Sequence, residues 1–301
     1  MFFRNLIVHR WPADGSWDVE RLEKQLAKLP FQPCTGLALE SRGWIPPRGD
    51  DRLVVSVGRQ WLIALGVEAK LLPASVVKQE VEQRAKDIEA RMGVKPGRKR
   101  LRDLKDEVTD ELLPRAFSRY NTTFAWIDPV NGWFCVDAGS PKKTEDFLEV
   151  LRRTLDDPPF SLVHTQRSPT AAMADWLSAK EAPHGFSIDR ECVLQSTLEE
   201  KATVRYAHHP LTDNDEIRNH IEAGKAPVRL ALTWQDRVSF VLGETMELRR
   251  VQLTDVTATE NEGGAESAEE QFETDFTLMT GLYAQFLTDL LEALGGEKTD
   301  A

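Results

Sequence analysis

Residues 122–140 read TTFAWIDPVNGWFCVDAGS, and this stretch sets the fold class of the chain. Two apolar and aromatic runs flank Asn131 and Gly132, and an Asn-Gly pair between such runs is the strongest short-range signal for a β-hairpin with a type I′ turn. Thr144 follows as an expected helix N-cap, with Glu145 and Asp146 in the first turn. A tight antiparallel hairpin followed by a helix indicates an α+β fold.

Upstream of the hairpin, the pattern changes to helical. From Ser75 the apolar residues Val77, Val81, Ile88 and Met92 form one narrow stripe, which is typical of an exposed helix. Such a helix is about 25 Å long. Glycine and proline at 93–97 end it, and residues 101–113 indicate a second helix that returns antiparallel. We expect a projecting helical hairpin.

The remaining segments complete a mixed α/β core with antiparallel sheets. VRLALTWQ, RVSFVLG and MELRRVQL predict a three-stranded meander. We divide the chain into five parts, which are an N-terminal part of the core, the helical arm, the hairpin with its helix, a second α/β region, and an acidic link with a C-terminal helix. Their bounds are 1–74, 75–120, 121–160, 161–256 and 257–301.

Charge is distributed unevenly along the 301 residues, whose formal net charge is −11. Residues 251–301 hold twelve acids and one lysine, so residues 1–250 are neutral overall. Within that neutral part, residues 91–105 (RMGVKPGRKRLRDLK) carry seven basic residues and one acid. Clustered basic residues favour a polyanionic partner, and a solvated helix face is the alternative interpretation.

Motifs of common enzymes and cofactor sites are missing from the sequence. It contains no GxGxxG, GxSxG or HExxH, and residues 93–99 depart from a phosphate-binding P-loop. The three cysteines are widely spaced and predict neither disulfides nor a zinc site. No apolar run reaches about 18 residues, and the N-terminus does not resemble a signal peptide. We expect a cytoplasmic protein without a cofactor or metal.

One enzymatic alternative remains open. Asp128 and Asp137 lie on the two arms of the predicted hairpin, with Glu145 just beyond, and nucleases hold divalent metals with converging carboxylates. Aspartates at strand ends also serve as turn and capping residues. A third hypothesis is a protein-interaction module that acts through the acidic residues 257–301.

Several motifs, in order, resemble the bacterial recombination-associated RdgC family. LLPRAFSR at 112–119 precedes an aromatic strand and the WIDPVNG of the hairpin. The further matches are GW-x-PP at 43–47, LLPASVVKQ at 71–79, NHIEAGK at 219–225 and LMTG at 278–281. The resemblance extends from the first residues to the terminal Gly-Gly.

This resemblance implies a non-catalytic, nucleoid-associated protein. In the family, two subunits form a closed homodimeric ring around double-stranded DNA and limit RecA-mediated recombination. By this likeness the helical hairpin is the tip of the subunit, and Phe117 is a gate residue that enters an apolar pocket of the other subunit. The residues around Phe117 are equally compatible with a core position.

We expect phosphate contacts from basic residues on the arm, near the gate and in the core. These candidates are Lys78, Arg98, Lys99, Arg100, Arg102, Arg115, Arg119, Lys142, Lys143, Lys225 and Arg237. The family has lysines near the second gate surface, where this chain has His208 and His209. That difference leaves the details of the gate open.

Overall fold

The computed structural model describes residues 2–197, 202–213, 215–254 and 267–298. In these ranges twelve strands form one sheet, and every pairing between them is antiparallel. The strands are β1 Asn5–Arg10, β2 Glu40–Ile45, β3 Val54–Val57, β4 Gln60–Leu71, β5 Phe117–Asp128, β6 Trp133–Val136, β7 Ser161–Leu162, β8 Phe186–Ser196, β9 Thr203–Tyr206, β10 Lys225–Trp234, β11 Val238–Gly243 and β12 Glu247–Leu253.

Seven α-helices accompany the sheet in the described ranges. They are α1 Val19–Leu26, α2 Ala74–Met92, α3 Arg98–Leu112, α4 Pro141–Thr154, α5 Pro169–Ala179, α6 Glu216–Glu222 and α7 Ala268–Ala293. The mixed α/β class is therefore confirmed. In the same ranges, each helix is too short or too polar to cross a membrane.

The sheet joins the two halves of the chain. Its main order is β2-β4-β5-β6-β1-β12-β11-β10-β8-β9, with β3 beside β4 and β7 beside β1. The predicted meander β10-β11-β12 is present, and β12 pairs with β1. Hydrogen bonding is thus continuous between the N-terminal and the second α/β regions, and the five-part division of the chain stays a prediction.

The hairpin of β5 and β6 is confirmed, but its turn is longer than expected. Asp128 pairs with Trp133, so four residues form the turn instead of two. Only Gly132 has a positive φ, of 75°, whereas a type I′ turn needs positive φ at both central residues. The carboxylate of Asp128 accepts hydrogen bonds from the backbone N–H groups of Val130 and Asn131, each 2.9 Å long. The aspartate therefore shapes the turn, and the expectation of a type I′ turn was wrong.

The two faces of the sheet bury separate apolar clusters. Helices α1 and α4 cover the strands of the first half, where Trp44, Phe134, Phe147 and Leu151 are buried. Helices α5, α6 and α7 cover the opposite face, which is richest in aromatic residues. The acidic residues 255–266, most of the expected link, lie outside the described residues.

Helix α7 is a core element of the protein. Phe276, Tyr283, Phe286 and Leu290 along it are fully buried. The hydroxyl of Tyr283 donates a 2.8 Å hydrogen bond to the carbonyl of Phe3, and the helix contacts strands of both halves. The C-terminal helix therefore packs across both halves of the sheet on one of its faces.

The helical hairpin of α2 and α3 is confirmed, and the two helices pack mainly on each other. Gly93 ends α2 with a φ of 70°, and its N–H bonds the carbonyl of Glu89. Leu104 and Val108 of α3 are buried, and Arg84 of α2 forms a 2.7 Å ion pair with Glu111 of α3. Helix α3 begins at Arg98, three residues earlier than predicted, so its first turn is strongly basic.

Helix α4 also begins earlier than predicted. Its N-cap is Ser140, whose hydroxyl accepts a hydrogen bond from the N–H of Lys143, while Thr144 is buried inside the helix. The N-cap assignment to Thr144 was therefore wrong. A serine followed by proline is a better helix start, because proline at the first helical position is pre-organised and loses no hydrogen bond. Lys142 and Lys143 consequently lie in the first turn of α4.

We predict that Gly43→Ala destabilises the fold. The N–H of Phe31 bonds the carbonyl of Trp44 at 2.9 Å, which holds residues 29–31 against β2, and a Cβ at position 43 would overlap the backbone of Phe31. Overpacking of this kind costs about 1–3 kcal/mol, which urea denaturation measures. Gly49→Ala is the control, because a Cβ there meets open space. Equal midpoints for both variants would contradict this account.

Candidate nucleic-acid interface

The tip of the arm concentrates positive charge where a helix disfavours it. Arg98, Lys99 and Arg100 occupy the first turn of α3, and that turn holds no acid. The N-terminus of a helix already carries a positive partial charge, so basic side chains there are destabilising. Arg100 forms a 2.8 Å ion pair with Glu107, whereas Arg98, Lys99 and Arg102 have no ion-pair partner among the described residues. An anion bound at the tip would relieve this repulsion.

A second group of basic residues surrounds a small cavity, which we name the basic pocket. Arg119 on β5 and Lys142 and Lys143 on α4 line this cavity of about 260 Å³. The sequence separates Arg119 from the lysines by more than twenty residues. The packing of α4 over β5 brings them together, with both lysines exposed at the positive end of the helix.

Both acids of the basic pocket already form ion pairs with one arginine. Glu40 and Asp146 also line it, and both pair with the guanidinium of Arg42, at 3.0 Å for Asp146. The cations of Arg119, Lys142 and Lys143 therefore remain available for a phosphate. Sequence reasoning missed Arg42, because only the pairing of β2 with β4 brings it to this side of the sheet.

The other four basic candidates are dispersed. Lys78 lies on the first turns of α2, 3.7 Å from Glu82, and Arg115 is exposed at the base of the arm. Lys225 begins β10 and its Nζ is 3.4 Å from Nδ1 of His220, while Arg237 lies between β10 and β11. The structure does not unite these four with the arm tip or with the basic pocket.

Phe117 is exposed, not buried. Its side chain is 85% exposed at the start of β5, and its cross-strand partner Leu71 on β4 is also exposed. The core interpretation of Phe117 was therefore wrong. Side chains two residues apart in a strand share a face, so the pair Leu71–Phe117 continues the face that carries Arg119. We name these two side chains the apolar patch; sequence reasoning missed Leu71, since only strand pairing places it opposite Phe117.

A buried carboxylate fixes the strands behind the apolar patch. Glu68 accepts a 2.6 Å hydrogen bond from the N–H of Cys34 and a 3.0 Å bond from the hydroxyl of Tyr120. The bond to Glu68 raises the pKa of Tyr120, and hydrogen bonding lowers the pKa of Glu68. This network ties β4, β5 and the segment before β2 together behind the apolar patch.

Asp128 and Asp137 do not form a metal site. Asp128 is buried and its oxygens bond the turn, whereas Asp137 accepts a 2.9 Å bond from the N–H of Asn5, and burial raises its pKa. From the strand register the two aspartates are about 13 Å apart along β6. In the described ranges, the structure contains no group of three or more acids, histidines or cysteines able to hold a metal ion.

His208 and His209 lie beyond the edge strand β9. His208 is exposed with a φ of 55°, and the ring of His209 stacks on Tyr206 with the ring centroids 5.4 Å apart. The two imidazoles therefore have different surroundings.

These features define an α+β protein with a basic helical arm, a basic pocket and an exposed apolar patch. The family model described as "Putative exonuclease, RdgC" matches residues 1–297. The chain belongs to the RdgC family.

Relatives from several bacteria match over nearly their whole length. The chain is 54% identical over 303 residues to the recombination-associated protein RdgC of Dechloromonas aromatica, covering 100% of both chains. It is 49% identical to the protein of the same name from Cupriavidus pinatubonensis and 46% identical to that from Janthinobacterium sp., with 99% of each chain covered.

Proposed function

We propose that the protein binds double-stranded DNA without sequence preference. The observation that carries this proposal is the first turn of α3, where the fold retains unpaired basic residues at a helix end that disfavours them. The basic pocket provides a second group of free cations at the N-terminus of α4. Phosphate contacts supply affinity without reading bases, so no base-reading motif is required.

The net charge of −11 does not oppose this proposal. Six of the twelve acids in residues 251–301 lie on α7, which packs on the face of the sheet opposite α4 and the basic pocket. Charges separated by more than about 8 Å are largely screened at physiological salt. DNA near α4 or the arm therefore meets the basic surface.

We propose further that two subunits close into a ring around the duplex and limit the access of RecA to it. The apolar patch supports this step, since an exposed phenylalanine at the end of a paired strand is suited to bury itself in a second copy. A dimer doubles every phosphate contact. Closure adds a topological constraint that keeps weakly held DNA inside the ring.

We predict that Phe117→Ala opens the ring. The wild type is expected to stay bound to circular duplex at rising salt and to dissociate from linear duplex through its ends. Phe117→Ala should dissociate from circular and linear duplex equally. RecA strand exchange on the coated duplex should recover with this variant. Gel-shift assays in a salt series measure the retention.

The control for Phe117→Ala is Val130→Ala, an exposed apolar residue in the β5–β6 turn. It should behave like the wild type. Equal retention of circular duplex by Phe117→Ala and the wild type would contradict the gate. Release of nucleotides from linear duplex with Mg²⁺, sensitive to EDTA, would contradict a purely binding role.

A further inference from the structure

The turn at the end of the arm exposes two apolar side chains, Met92 and Val94, which we name the apolar tip. Met92 is 75% exposed in the last turn of α2, and Val94 is 70% exposed in the connection to α3. In the described part of the chain, Phe117 is the only large apolar side chain with a greater exposed fraction. Single exposed apolar residues are ordinary, but two at one projecting turn form a contact surface.

The apolar tip does not contribute to the packing of the arm. The apolar stripe of α2 begins with Val77, which is buried, continues through the partly buried Ile88 and ends at the exposed Met92. Helix α3 shows the same trend, because Leu104 is buried whereas Leu101, nearly one turn closer to the tip, is exposed. The contact between the two helices therefore ends before the tip, and its apolar side chains are free for another surface.

The charge around the apolar tip has one sign. Residues 91–102 hold six basic residues and no acid. Among the described residues, only Arg100 of these six forms an ion pair, with Glu107 at 2.8 Å. A second copy of the tip would bring like charges together, so the tip is not suited to pair with itself. The surface that covers it must supply negative charge and apolar contact at the same place.

Duplex DNA provides both features. Proteins that deform DNA insert apolar wedges, methionine among them, between base steps from the minor groove, while basic side chains hold the adjacent phosphates. One or two side chains are enough for such a wedge, whereas attachment to a membrane requires a larger apolar area. The minor groove presents nearly the same pattern for A·T and T·A, so insertion there agrees with binding without sequence preference.

The connection between α2 and α3 is narrow enough for this role. It runs from Gly93 to Gly97, and a Cβ added at either glycine would meet no other atom within 4 Å. Gly93 has a φ of 70°, which turns the chain sharply after Met92. Small residues thus surround the apolar tip, and no neighbouring element blocks its approach to a groove about 6 Å wide.

We propose that the apolar tip enters the minor groove and wedges Met92 into a base step, with the basic residues of the tip on the flanking phosphates. The inserted side chain locally unwinds and kinks the duplex. This inference rests on the proposed DNA binding and adds to it a deformation of the DNA, which charge alone does not produce. Flexible pyrimidine–purine steps open most easily and are the preferred points of insertion.

Relaxation of closed circular plasmid by topoisomerase I, in the presence of the full-length protein, tests this proposal. An opened base step lowers the linking number wherever on the plasmid it forms, so the wild type is expected to lower it in proportion to the protein bound. The double variant Met92→Gln, Val94→Thr keeps the size and charge of the tip but makes it polar. Its change in linking number per bound chain should be smaller by about threefold or more.

Fluorescence anisotropy should show that this tip variant binds duplex within about threefold of the wild type, because it keeps every phosphate contact. The matched control is Val76→Thr, Leu162→Gln, which makes similar changes at two exposed apolar positions away from the tip. It should lower the linking number as the wild type does. Thermal unfolding should show that both double variants are folded, since all four positions are exposed.

Three results would overturn the wedge while DNA binding persists. They are equal unwinding by the tip variant and the control, binding by the wild type without any change in linking number, and a smaller mass of the tip variant in light scattering. A smaller mass would mean that the tip contacts a second copy of the chain. Failure of the wild type to bind duplex would instead contradict the proposed function, and the wedge with it.

Discussion

Replacing Arg98, Lys99 and Arg102 with glutamine is expected to lower the affinity for duplex DNA by about three orders of magnitude at physiological salt. A dimer loses six cations by this change. Each phosphate contact releases condensed counterions, so the slope of log affinity against log salt should become less negative by about 5. The wild type, with six to ten contacts, should show a slope of roughly −5 to −9.

The stability of this triple variant should rise while its affinity for DNA falls. The three residues lie in or beside the first turn of α3, where their charge opposes the helix dipole. Removing each charge is expected to stabilise the free protein by about 0.3–1 kcal/mol. A variant that is more stable and binds DNA far less tightly would show that the basic tip is kept for binding.

Fluorescence anisotropy with a labelled duplex, between about 50 and 200 mM salt, measures the affinity and the slope of log affinity against log salt. The control carries glutamine at Arg52, Arg59 and Arg153, three exposed arginines away from the arm. It removes the same net charge and should keep the wild-type slope. An equal loss of DNA affinity in the control would show that the overall charge of the protein, and not the arm tip, governs binding.

The second large effect concerns the core. Phe286→Ala is expected to lower the free energy of unfolding by about 3–5 kcal/mol, because it empties a fully buried site. The ring of Phe286 lies 4.7 Å from that of Phe240 and 5.8 Å from that of Trp234. The Trp234 indole N–H in turn donates a 2.8 Å hydrogen bond to Asp289 of the same helix, α7.

Urea denaturation measures this loss, and Gln285→Ala is the neighbouring control. Gln285 is exposed on α7, so its replacement should change stability by less than about 0.5 kcal/mol. Similar effects of the two substitutions would mean that α7 does not stabilise the sheet as described.

The role of α7 also changes how the acidic-tail hypothesis must be tested. Deleting residues 257–301 removes the helix that covers both halves of the sheet, so the truncated chain is expected to unfold. Replacement of exposed acids on the helix, such as Glu269 and Glu273, leaves the buried face intact. Such variants separate an interaction role from a folding role.

Local patterns in the sequence predicted most of the secondary structure. The hairpin of β5 and β6, the meander β10-β11-β12 and the arm of α2 and α3 follow from apolar spacing and from glycine and proline. Errors fell at helix starts and turns. The N-cap of α4 is Ser140, whereas the sequence predicted Thr144. The carboxylate of Asp128 shapes the turn that the sequence assigned to Asn131 and Gly132. At such points a single side-chain hydrogen bond decides between neighbouring registers, and periodicity does not detect it.

The sequence by itself determined the α+β class, the basic arm and, through its motifs, the RdgC family. Only the tertiary structure decided that Phe117 is exposed beside Leu71 and that Arg119 meets Lys142 and Lys143. The physical reason is the distance along the chain over which each kind of signal acts. Hydrophobic periodicity and capping act within a few residues, whereas burial and the meeting of charges depend on strand pairing and helix packing between distant segments.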